Sequence, residues 1–170
     1  GNYQVIVHAR QKLRGTNQYA NNNRIPITFM NNQWQQYEAT LQFSGDIGTD
    51  TFTVPFNPTL AFLDLKQKLC DATTDKAVTA KAIGLYTMTH AYQYVDVQQI
   101  SDSAFIRVCH HFVKPDTIQR EIPHFKMSTS RYWHVDGIFP SNFLAKGRFF
   151  YNNAYNTNNG YLDNGLITSR

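Results

Sequence analysis

Apolar and polar positions alternate from the first residues of the chain. Val5, Val7, Ala9 and Leu13 fall on one side of an extended segment, and Ile6, His8, Arg10, Lys12 and Arg14 fall on the other. This period of two predicts a strand over Gln4 to Arg14 that turns basic on one face. Thr16 to Asn23 is an Asn-rich loop, and Ile25 to Met30 is a short extended piece placed at an edge by Pro26. Tyr37 to Phe43 and Thr51 to Phe56 alternate again around Gly45-Asp46-Ile47-Gly48, which predicts a hairpin.

A different period follows. Asn57-Pro58 sets a capping residue ahead of a first-turn proline, and Leu60, Phe62, Leu63, Leu65 and Leu69 recur at close to helical spacing. Together they predict one helix over about 58–70. Lys81 to Val97 predicts a long strand bent at Gly84. Ala104 to Val113, Thr117 to Met127, Arg131 to Phe139 and Gly147 to Tyr151 predict four more strands. From Asn152 onward the chain is rich in Asn, Tyr and Gly, too polar for a core and too aromatic for a plain linker.

Many short strands and one isolated helix predict a single-domain, all-β antiparallel protein, either a two-sheet sandwich or a jelly roll. The 170 residues suit one core. The strand–helix–strand rhythm of a nucleotide-binding enzyme is missing.

Composition adds a statement about surfaces. Only 16% of the residues are charged, so Asn, Gln, Thr and Tyr must cover most of the exterior. Such a surface resists self-association poorly, which fits a subunit whose faces are covered by copies of itself. Trp34, set among glutamines, and Tyr151, Tyr155 and Tyr161 in the tail are accordingly read as anchors of a subunit interface.

Charge is segregated along the chain. The first 37 residues hold no carboxylate but carry Arg10, Lys12, Arg14 and Arg24, which equals the whole formal net charge of +4. A basic segment over 1–24 thus leads into an electrically balanced body over 25–170, and such asymmetry points to a polyanion. In an extended chain Arg10, Lys12 and Arg14 project from one side, spaced to follow phosphates.

Catalytic motifs are sparse. Gly-x-Ser-x-Gly, a phosphate-cradling glycine loop and His-Glu-x-x-His are all absent. Cys70 and Cys109 define no disulfide framework and are expected as reduced, buried thiols. Cys109-His110-His111 is the most suggestive cluster, yet in a strand Cys109 and His111 share one face while His110 takes the other. A packed thiol with two hydrogen-bonded imidazoles is the preferred reading there, and His124 and His134 are read the same way. Asp46 and Asp50 are read as turn solvation, falling short of a calcium loop. No metal, no cofactor and no enzymatic activity are expected. No stretch is long and apolar enough for a membrane helix, and the polar start is unlike a signal peptide, so a soluble chain of intracellular origin is expected.

Together the basic N-terminal segment, the strand-rich body and the helix expected after Thr51-Phe-Thr-Val-Pro-Phe-Asn-Pro58 resemble the single jelly-roll coat proteins of small icosahedral viruses. Satellite-virus coats are the most similar in length. The resemblance implies an eight-stranded jelly-roll capsid domain and a non-enzymatic subunit that assembles in many copies, in the host cytoplasm, into a virion. It also implies that Arg10, Lys12, Arg14 and Arg24 face inward and touch single-stranded viral RNA through its phosphates. The alternative is a carbohydrate-binding β-sandwich lectin, whose Trp34 or tail tyrosines stack on sugars, or a fibre module with the same amide-rich surface.

Overall fold

Each of the two compact units of the chain, Gly1–Asp71 and Ala72–Arg170, has its own sheets and its own apolar cluster. The computed structural model describes residues 1–116 and 130–150. The predicted strand Thr117 to Met127 and the tail from Tyr151 lie outside the described residues.

The first unit holds β1 (Tyr3–Arg10), β2 (Asn23–Met30), β3 (Gln36–Phe43), β4 (Ile47–Val54) and β5 (Leu60–Leu63). β1 pairs with β4, and β2 lies between β3 and β5, all antiparallel. Alternation works as expected on β1: Val5, Val7 and Ala9 pack on the core of Ile27, Phe29, Leu41 and Val54, while Ile6, His8 and Arg10 are exposed. The Phe29 and Phe52 rings meet at 5.3 Å between the two sheets.

The expected hairpin across Gly45 does not form as a ladder. β3 pairs with β2, whereas β4 pairs with β1, so the turn at Ser44–Asp46 carries the chain from one sheet to the other. Gly45, at φ 80, supplies the left-handed residue of that turn. Gly48 has a different task from the one its sequence context suggests. It is buried within β4, and a Cβ there would lie 2.1 Å from the Phe43 Cβ, so only glycine lets Phe43 occupy that space.

The helix expected over 58–70 is absent, and its first half is β5. Two forces outweigh the leucine spacing. Residues 60–63 complete the free edge of β2, pairing Leu60 with Met30 and Leu63 with Ile27, and this buries Phe62. Asp64, in the left-handed region at φ 43, then captures the amides that a helix would need. Its Oδ1 accepts from Lys68 N at 2.9 Å and its Oδ2 from Leu69 N at 2.8 Å, closing a turn. Replacing Asp64 by Ala leaves both amides without that acceptor, and the expected cost is about 1–3 kcal/mol in chemical denaturation. A change within a few tenths of a kcal/mol would show that water serves these amides equally well. Lys66 of the same turn contacts Glu38 on β3, and this hydrogen bond, with the ammonium charge, holds the Glu38 carboxyl below its ordinary range.

The second unit holds β6 (Thr73–Ala80), β7 (Gly84–Met88), β8 (Gln93–Gln99), β9 (Ala104–His111), β10 (Tyr132–Ile138) and β11 (Leu144–Phe149). β9 lies between β10 and β6, and β8 between β11 and β7, again antiparallel. The long strand expected over 81–97 is a hairpin. A 3-10 turn at Thr89–Ala91 and the left-handed Tyr92 (φ 53) reverse the chain, so that Met88 pairs with Gln93 and Gly84 with Val97. Trp133 Nε1 donates to Ala91 O at 2.7 Å and ties this turn to β10. Met88, Val95 and Val97 join Ala80, Ala104, Ile106 and Val108 in one buried cluster.

The all-β, antiparallel expectation holds, with sheets that pack as sandwiches. Among the described residues the pairings draw one two-stranded and three three-stranded sheets, not the two four-stranded sheets of a jelly-roll order. No helix among the described residues is long and apolar enough to cross a membrane.

Candidate nucleic-acid interface

β1 ends at Arg10, two residues before Lys12, so the alternation that was to aim three cations one way stops short. The cause is long-range. Gln11 N donates to Asp46 O at 2.8 Å and the Gln11 side-chain Oε1 accepts from Ala20 N at 3.1 Å, which turns the chain away from the ladder. Ala20 O in turn accepts from Gly45 N at 3.1 Å, and Ser44 Oγ accepts from Asn22 N at 2.9 Å. The loop 11–22 is thereby pinned to the turn between β3 and β4.

This pinning decides where the cations go. The register places Arg10 opposite Ile47 and Arg24 opposite Gln42, so the last residue of β1, the start of β2 and the β3–β4 turn all meet at one end of the first unit. Arg10, Arg24 and, on the connecting loop, Lys12 and Arg14 therefore gather at that end. They do not form a flat row. Arg10 leaves the outer face of the β1–β4 sheet, whereas Arg24 follows Pro26 and Thr28 on the face of β2 turned away from Ile27 and Phe29. The two strand-borne cations thus leave from different faces of the first unit.

Carboxylates temper these cations. Arg10 Nε lies 3.6 Å from Asp46 Oδ1, beyond hydrogen-bond range, with its side chain 65% exposed. An exposed pair of this length leaves the guanidinium largely available to another anion. Asp50 is spent on the backbone, its oxygens accepting from Gln42 N at 3.2 Å and Thr51 N at 2.8 Å. Asp46 thus serves the turn through its backbone carbonyl, which accepts from Gln11 N, whereas Asp50 lies within β4, and no group of three metal-ligating side chains occurs among the described residues. The partnership of Asp46 with Arg10 has no local sequence signal, because the two are brought together only by the β1–β4 pairing.

Trp34 sits half-buried in the connection between β2 and β3, at φ 67. Asn31 organises that connection: its Oδ1 accepts from Gln33 N at 3.1 Å and Gln35 N at 3.0 Å, and Trp34 N donates to Asn31 O at 2.9 Å. The other three residues expected at an interface, Tyr151, Tyr155 and Tyr161, lie outside the described residues.

The cysteine–histidine cluster separates as strand geometry requires. His110 turns into the core and stacks flat on Trp133, ring centroids 4.4 Å apart. Cys109 and His111 take the other face, where the register sets Cys109 between Asp75 of β6 and His134 of β10. His134 Nδ1 lies 3.3 Å from Asp136 Oδ2, while His111 Nδ1 is 3.2 Å from Thr73 Oγ1 and its ring stacks on Tyr132. Cys109 is buried, but Cys70, also expected to be buried, is exposed on the polar connection before Asp71. His124 lies outside the described residues. No known protein family matches the chain, and neither a curated protein nor a solved structure does.

Proposed function

We propose that this protein is a structural subunit that assembles in many copies and holds single-stranded nucleic acid, of the viral RNA type, through the basic end of its first unit. One observation carries the reading: the four cations of a carboxylate-free 37-residue stretch collect at one end of a β-sandwich, Arg10, Arg14 and Arg24 exposed there. Cations gathered in this way serve a polyanion's backbone and carry no base-specific reading. About four phosphate contacts per chain bind weakly, and repetition over many copies on one surface converts weak contacts into firm retention. The low-charge, amide-rich exterior supports repeated self-contact.

The test is sedimentation with electron microscopy of the purified protein and its ultraviolet spectrum. Uniform hollow particles whose absorbance reveals bound polynucleotide are expected. A small discrete species at every ionic strength, free of nucleic acid, would remove the reading.

A further inference from the structure

β1 is hydrogen-bonded on one side only: among the described residues it pairs with β4, and no other strand occupies its second edge. An open edge presents a row of unmet amides and carbonyls, which proteins normally protect with short strands, charges or proline. The other edges of these sheets are protected in that way. β3 carries Glu38, β4 Asp50, β6 Asp75 and Lys76, β10 Asp136, and β11 Lys146 and Arg148, while β5 and β7 have only four and five residues. β1 has eight residues, no proline, and no Lys, Arg, Asp or Glu before its last position, Arg10. It also exposes Ile6, 61% accessible, at its middle.

We infer that the open edge of β1 is an assembly seam, at which β1 of a second copy of this chain adds antiparallel about a two-fold axis centred on Ile6. The choice of a second copy as occupant rests on the multi-copy reading above; the register follows from the strand itself. An antiparallel two-fold pairing sets residues whose numbers sum to a constant opposite each other. Centred on Ile6, it joins Ile6 to its own copy, Val5 to Val7, Gln4 to His8 and Tyr3 to Ala9. Apolar residues then meet apolar ones on both faces, and the strand's one cation, Arg10, faces the neutral Asn2 of the partner. A parallel in-register pairing would set Arg10 against Arg10. The antiparallel seam joins two β1–β4 ribbons into one four-stranded sheet, removes the edge, and covers Ile6.

The inference is tested with Ile6→Lys and Ile6→Glu, both at an exposed position that the folded chain tolerates, with circular dichroism confirming the fold. Native mass spectrometry and sedimentation of the wild-type chain should show a dimer as the building block. Each variant alone should weaken that dimer by at least about 100-fold, because like charges meet at the axis, and mixing the two variants should restore a one-to-one heterodimer. In the wild-type protein, hydrogen exchange at alternate amides of Tyr3–Arg10 should slow as concentration rises. A dimer indifferent to both variants, a wild-type chain monomeric at high concentration, or β1 amides whose exchange ignores concentration would each overturn the inference. Large particles that persist with Ile6→Lys would sink the seam and leave the shell reading standing. A dimer dependent on Ile6 that never forms particles or binds nucleic acid would do the reverse.

Discussion

Replacing Asp75 by Ala should lower the stability of the second unit by about 3–5 kcal/mol, a large share of the roughly 5–15 kcal/mol that holds an ordinary domain folded. Asp75 on β6 is ion-paired to Arg107 on β9, its diagonal neighbour across the ladder, and both side chains are more than nine-tenths buried. Desolvating two charges is costly, and their attraction offsets that cost only while both are present. Removing the carboxylate leaves a guanidinium in a site closed to water. The double replacement Asp75→Leu with Arg107→Met removes both charges at similar volume and should recover most of the loss, since apolar isosteres of buried pairs are often neutral or better. The two tryptophans make the measurement clean, because Trp34 belongs to the first unit and Trp133 to the second. In a Trp34→Phe background, urea unfolding followed by fluorescence reports the second unit alone. A single-variant cost below about 1 kcal/mol would mean that water reaches the pair in solution.

Sequence and structure agree where one face of a strand decides its pattern. β1 from Tyr3 to Arg10 and the second half of β3, from Ala39 to Phe43, alternate between a packed and a wetter face, so a period of two locates them. β9 carries a different signal, an unbroken run of strand-forming residues, and it is buried on both faces from Ala104 to His110. Disagreement appears where a partner distant in sequence overrides a local preference. The leucines from 60 to 69 have helical spacing, but the open edge of β2 and the carboxylate of Asp64 both claim that backbone, and neither is visible in a window of ten residues. The reversal at Thr89–Ala91 contains no glycine or proline, and Tyr92 takes the left-handed conformation that those residues usually signal. The sequence around Gly48 suggests a turn, the commonest setting of glycine; its packing duty against Phe43 needs the fold to be seen. The candidate interface divides along the same line. The segregation of charge is legible from the absence of carboxylates before Glu38, whereas the arrangement of the four cations depends on Gln11 meeting Asp46 and Ala20 meeting Gly45.

Affinity of the wild-type protein for single-stranded oligouridylate should fall about 50-fold between 50 and 200 mM monovalent salt, because each of about four phosphate contacts contributes roughly 0.7 to the slope of log affinity against log salt. Replacing Arg10, Lys12 and Arg14 by Ala removes three of those contacts and should flatten the slope to about −0.7, so that the same change in salt costs only about 3-fold. The slope discriminates better than the affinity itself, since a variant that merely loosens the fold would bind less at all salt concentrations with the slope unchanged. Asp46→Asn provides the opposite perturbation. It takes away the carboxylate 3.6 Å from Arg10 and should raise affinity at low salt, most of all with the four cations intact. Oligoadenylate should bind with the same slope, because cations that leave from two faces reach phosphates and offer no single plane on which bases are read. A slope left near −3 by the triple replacement would assign the phosphate contacts to other residues and dissolve the link between charge segregation and binding.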